Sequence, residues 1–177
     1  SDVYKRQLLG SAIVNNDNTE FEGEAAMGLL DNHAYSVLNI LEYEDEVLLK
    51  LEGLRKLYDV EQYGALSQDP ERYPLFVVKT RGWDAASKPS LLISGGTHGY
   101  ETSGVQGALL FAETAMAKYA TLFDIAVIPC VSPWSYECIQ RWNAKTIDPN
   151  RSYVENSPAE ECAAVMDLVK ALAVPQW

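Results

Sequence analysis

An apolar run, Leu91-Leu92-Ile93-Ser94, leads directly into the glycine-rich turn Gly95-Gly96-Thr97-His98-Gly99-Tyr100-Glu101, and an amphipathic helix opens near Ser103. No other stretch restricts the fold as strongly. A short apolar run without polar alternation predicts a strand buried on both faces. A helix that follows within a few residues predicts a crossover onto an α/β sheet. The three glycines allow tight turns and close backbone approach. Loops at the ends of such strands carry function. His98 and Glu101, three residues apart, can face one metal ion from one side of the loop, although a His beside a Glu is more often a hydrogen-bonded surface pair.

The remaining pattern agrees with this class. Val37, Leu38, Leu41, Leu48, Leu49 and Leu57 recur at helical spacing, which predicts helix from Ala34 to about Tyr58. A short strand is expected within residues 59 to 68, and a turn at Asp69-Pro70. Leu75-Phe76-Val77-Val78 reads as a strand, and residues 123 to 131 as another. Val105, Leu109, Ala112 and Met116 fall on one helical stripe. Ser157-Pro158-Ala159-Glu160 reads as a helix start with Ser157 as N-cap, and that helix is expected to reach about Ala173. Strands alternating with helices predict a three-layer α/β/α domain around a mostly parallel, mixed sheet. The first residues stand apart: Asp2-Val3-Tyr4-Lys5-Arg6-Gln7 resembles the translation of a transposase mosaic-end adapter, so residues 1–7 are expected to lie outside the native fold. Residues 8–70 form an acidic, partly helical N-terminal segment, and residues 71–177 carry the motifs.

The 177 residues suit one ordinary domain, and 47% hydrophobic residues suffice for a core. A net charge of -11 argues against nucleic acid as the partner, because such binders carry basic patches. No apolar run is long enough to span a bilayer, so no membrane partner is expected. The run Leu8–Val14 is too short for a secretory leader. The three cysteines, Cys130, Cys138 and Cys162, match no zinc or redox spacing and read as reduced thiols, which favours a cytoplasmic setting. The acidic run Glu42-Tyr43-Glu44-Asp45-Glu46 reads as a solvated helix face, since it lacks a calcium-loop pattern. No Gly-x-Ser-x-Gly elbow surrounds Ser94, Ser103 or Ser132, which argues against a serine hydrolase.

A second cluster lies downstream: Arg141-Trp142-Asn143, then Asp148-Pro149-Asn150-Arg151-Ser152-Tyr153. Asn150 and Arg151 offer an amide and a planar fork of donors suited to a carboxylate. Arg141 could hold an oxyanion formed when water attacks a carbonyl. The plain alternative is a loop of salt bridges, with Asp148-Pro149 as an ordinary turn. Tyr100 and Tyr153 flank the motifs and could touch substrate, but they read first as packing residues.

Taken together, the two clusters resemble the zinc metallocarboxypeptidase family of carboxypeptidase A. That family carries a His-x-x-Glu pair after a core strand and an Asn-Arg pair about fifty residues later. The resemblance covers roughly residues 73 to 153, including Ile128-Pro129-Cys130-Val131-Ser132-Pro133. It implies that His98 and Glu101 bind Zn2+, that Arg141 polarises the scissile carbonyl, and that Asn150 and Arg151 bind the substrate carboxylate. The implied substrate is a peptide with a free C-terminus. The family's third zinc ligand, its general base and a closing Tyr lie beyond the stretch matched, and His33 cannot take the ligand's place. We therefore expect residues 71–177 to be the N-terminal part of such a catalytic domain, truncated relative to the family fold, inactive alone and weak in zinc binding. Two other readings stay open. Aspartoacylase and succinylglutamate desuccinylase share both features and cleave N-acyl amino acids. A non-catalytic carboxylate-binding module would keep Arg151 without the chemistry.

Overall fold

A computed structural model describes residues 9–12, 34–37, 43–84 and 86–173 of the chain. The adapter-like residues 1–7 and His33 lie outside them. The chain divides into two compact units, Ser1–Ile40 and Leu41–Trp177. In the first unit, β1 (Leu9–Ala12) pairs antiparallel with β2 (Ala34–Val37), Leu9 opposite Val37. The helix expected from Ala34 thus merged two elements: Ala34–Val37 is strand, because it finds an extended partner in β1 and carries Tyr35 and Val37, residues that suit strands.

In the second unit, a π-helical stretch, Glu44–Leu48, runs into α1 (Leu49–Leu54). Tyr43, Val47, Leu51 and Leu54 are buried at intervals of four, four and three, the spacing of one helical face. The acidic run beside them is not simply solvated: Glu46 Oε2 accepts from Tyr136 Oη at 2.8 Å and Gln106 Nε2 at 3.1 Å. β3 (Asp59–Ala65), β4 (Pro74–Lys79), β5 (Ser90–Ser94) and β6 (Asp124–Ile128) form one sheet in the order β3-β4-β6-β5. β3–β4 and β4–β6 pair antiparallel and β5–β6 parallel, so the sheet is mixed and its parallel part is the pair that carries the crossover. That crossover is α2 (Thr102–Thr114) followed by the short α3 (Met116–Tyr119). The stripe read from the sequence holds: Val105, Leu109, Ala112 and Met116 are all fully buried.

Strand β6 is buried throughout and feeds two cores. Ile125 and Val127 face the core shared with α1 and α2, while Ala126 and Ile128 face the other, with Val165 of α5 (Glu160–Ala171). The result is a three-layer α/β/α arrangement. Each fully buried Val or Ile stabilises it by roughly 1.5–3 kcal/mol. β5 departs from expectation. Its apolar run predicts burial on both faces, yet every residue is half-buried or exposed, and Leu91 is 37% exposed. It ends the sheet, with β6 as its one strand partner among the described residues, so one edge has no neighbouring strand to cover it. α5 also starts later than its sequence signal. Ala159 is the N-cap, and Ser157 acts one step earlier: its Oγ accepts from Ala159 N at 3.2 Å while its hydroxyl donates to the Ser152 carbonyl.

Two expected results follow from the packing. Burial pushes the Cys130 thiol far up and that of Cys162 up to about 12, whereas Cys138 is exposed. A thiol reagent at pH 8 should modify one of the three cysteines in the native protein and all three in denaturant; fast labelling of all three natively would contradict this packing. Glu161 in α5 is 1% exposed, and burial raises its carboxyl above the ordinary value of 4.5. Its Oε1 has no hydrogen-bond partner among the described residues. The folded chain therefore binds the proton more tightly than the unfolded one, and stability should fall as pH rises from the ordinary carboxylate value through the raised one. Glu161→Gln keeps an acceptor for Asn143 Nδ2 and should flatten that decline, as read from denaturant midpoints between pH 4 and pH 8. An unchanged pH slope would contradict it.

Candidate metal and substrate site

The loop after β5 holds its shape by extending the sheet's bonding beyond the strands. Gly95 N donates to Ile128 O at 2.9 Å, Val131 N to Gly95 O at 2.9 Å, and Ser132 N to Gly96 O at 3.0 Å. Gly96 sits at φ +66°, where L side chains are strained. Gly99 lies so close to the backbone of Ser135, in α4 (Pro133–Glu137), that no Cβ fits there. These contacts press His98 inward until it is 4% exposed, while Glu101 stays open at the mouth of the loop.

The His98 ring has two carboxylate neighbours. Nδ1 lies 3.1 Å from Glu101 Oε1, and Nε2 lies 2.9 Å from Asp148 Oδ1. Asp148 opens the 3₁₀ turn Pro149–Arg151, and its Oδ1 also accepts from Asn150 N at 3.0 Å. Its other oxygen, Oδ2, accepts from Arg141 Nη2 at 3.0 Å. The bond from His98 foremost, then those from Arg141 and the Asn150 amide, holds the Asp148 carboxyl below its ordinary value. Arg141 Nη1 donates to Tyr100 Oη at 3.1 Å, and these partners hold its guanidinium still more firmly protonated. The turn between Arg141 and Asp148 is shaped by buried Asn143, whose Oδ1 accepts from Lys145 N and Ile147 N, both at 3.0 Å.

The structure thus brings His98, Glu101 and Arg141 together, and the link is Asp148. Asn150 and Arg151 stand beside that cluster, exposed on the 3₁₀ turn, where Arg151 Nη1 donates to the Asn150 carbonyl at 3.3 Å. Asp148 was read from sequence only as half of an Asp-Pro turn. Its cap on the Asn150 amide and its bond to a residue fifty positions upstream appear only in the structure.

The donor set can be tested against a zinc ion. If Nε2 carries the proton given to Asp148, then Nδ1 turns a lone pair toward the Glu101 carboxylate. Two acceptors 3.1 Å apart repel unless a proton or a cation lies between them. His98 Nδ1 and the Glu101 carboxylate are the two groups that would hold such a cation, and N and O donors of this kind suit zinc. The arrangement also matches the general pattern in which a metal-binding His gives its second N–H to a carboxylate. Among the described residues, no group of three His, Cys, Asp or Glu side chains is placed to hold a metal ion. The residues present therefore fit part of a zinc site.

No family model and no curated protein matches the sequence. Solved structures do match the fold. One is a Shewanella amazonensis SB2B protein assigned as a metallopeptidase, with TM-score 0.62 and 22% identity over 88% of this chain and 57% of that one. Another is a metallo-carboxypeptidase from Burkholderia cenocepacia, with TM-score 0.59 and 20% identity over 72% of this chain and 38% of that one. A third is bovine thrombin-activatable fibrinolysis inhibitor in complex with tick carboxypeptidase inhibitor, with TM-score 0.55 and 19% identity over 72% of this chain and 53% of that one. The fold is that of the metallo-carboxypeptidases, and the chain spans little more than half the length of the first of these structures.

Proposed function

We propose that this chain carries the His-Glu half of the metal site, and the carboxylate-recognition turn, of a zinc-dependent carboxypeptidase that hydrolyses C-terminal peptide bonds. One observation supports it above the others: on a metallo-carboxypeptidase fold, a buried histidine has one ring nitrogen on Asp148 and turns the other to Glu101. Bound zinc would activate a water and polarise the scissile carbonyl. The protein's own groups do the rest. Asp148 fixes the tautomer and plane of His98, leaving Nδ1 to the metal. Arg141 turns its remaining N–H groups to the oxygen that gains charge. Asn150 and Arg151 are open to solvent and available for the terminal carboxylate. Hydrolysis further requires a third ligand and a general base, which no described residue brings to this cluster, so we propose that this chain alone is inactive.

The test is zinc affinity by competition with a chromophoric chelator, in the wild type and in His98→Ala and Glu101→Ala. Weak binding that falls at least about tenfold in either variant is expected. No zinc binding by the wild type, or affinity unchanged in both variants, would overturn the metal assignment. Robust zinc-dependent release of C-terminal amino acids by this chain would overturn the proposed inactivity. In an active, longer protein, preference for a blocked dipeptide over an N-acyl amino acid would separate the peptidase from a deacylase.

A further inference from the structure

The contacts around Arg141 close into a ring. His98 Nε2 meets Asp148 Oδ1, Asp148 Oδ2 meets Arg141 Nη2, and Arg141 Nη1 meets Tyr100 Oη. The Tyr100 ring then lies alongside the His98 imidazole, with centroids 5.9 Å apart and planes 11° from parallel. A backbone bond from Tyr100 N to Gln140 O, 3.2 Å, ties the two chain segments together at this point. Tyr100 is nevertheless 44% exposed, far more than a residue whose task is packing. No part of the proposed function uses it.

We propose that Tyr100 is the positioning residue that sets the guanidinium of Arg141, and that its hydroxyl contributes a second donor to the same substrate oxygen. The proposal rests on the reading of Arg141 as the group facing that oxygen. A lone arginine on a half-open loop samples many rotamers. Here Asp148 holds one terminal nitrogen and Tyr100 the other, so the planar fork has a fixed orientation before substrate arrives. The phenol oxygen accepts from Arg141, which leaves its own proton free to donate. The remaining Arg141 N–H groups and the Tyr100 O–H thus offer neighbouring donors to a carbonyl or carboxylate oxygen.

Tyr100→Phe separates this role from packing, because it keeps the aromatic ring beside His98 and removes only the hydroxyl. The first readout needs no metal and no ligand. The Nη–H resonances of Arg141, assigned by their absence in Arg141→Lys, should be resolved in the wild type at low temperature and averaged in Tyr100→Phe. Resolved signals in both proteins, or averaged signals in both, would overturn the proposal. The second readout titrates N-acetylphenylalanine into the zinc-loaded proteins. Tyr100→Phe should bind it about tenfold more weakly, the loss expected for a hydrogen bond to a charged group, with zinc affinity within about twofold of wild type. Equal binding of N-acetylphenylalanine by both proteins would overturn the donor role. A wild type that takes up no zinc removes the metal assignment, and the guanidinium spectra still decide for or against Tyr100.

Discussion

Replacing Gly99 by alanine should collapse the site and cost the fold at least about 3 kcal/mol. A Cβ at this position would stand 1.8 Å from Ser135 O and 1.9 Å from Ser135 C. Both are backbone atoms of α4, so no side chain can swing aside. α4 cannot retreat cheaply either. Tyr136 is fully buried in the main core, and Glu137 accepts hydrogen bonds from Tyr43 N, Arg72 Nε and Tyr73 Oη. The loop must therefore lift, and His98, one residue away, leaves Asp148. The melting temperature should fall by about 6–12 °C for a domain of this size. Gly107→Ala is the control: it sits in α2 with nothing within 4 Å of a built Cβ, and should be neutral or stabilise by up to about 1 kcal/mol. A Gly99→Ala protein that melts with the wild type would show that the loop does not lie against Ser135.

That contrast also shows what a linear reading reaches. The stripe from Val105 to Met116 could be read because helical spacing repeats in the sequence, and so could the strands that bear Leu75 and Ile125. His98 and Glu101 were legible because three residues in a glycine-rich loop form a local unit. Arg141 was singled out by its chemical type and by the family resemblance, while its contact with Asp148 was not readable from spacing. Asp148 was not legible, because its role depends on a 2.9 Å bond across fifty residues, and an Asp before Pro has a sufficient local explanation as a turn. Tyr100 was read as packing for the same reason: its partner, Arg141, is forty-one residues away. β5 was overestimated because an apolar run signals burial without saying which strand ends the sheet. Long-range polar contacts and sheet order are set by topology, which a local pattern does not encode.

Asp148 is accordingly where the second large effect is expected. Asp148→Ala removes the acceptor of His98 Nε2, that of Arg141 Nη2 and the cap on Asn150 N in one step. His98 is buried and would lose the group that fixes its ring plane and tautomer. Once Nε2–H is no longer held, the imidazole can carry its proton on Nδ1, the nitrogen that faces Glu101, and metal binding must then displace it. Zinc affinity should drop by about 10–100-fold, the range found when the carboxylate behind a metal-binding histidine is lost. Asp148→Asn retains an oxygen for His98 but no charge for Arg141, and should fall between wild type and alanine. Chelator competition on the three proteins reads this order directly, with circular dichroism to show that the fold persists. Zinc affinity within about twofold of wild type in Asp148→Ala would mean that the carboxylate does not support the metal-binding face of His98, whatever the distance between them.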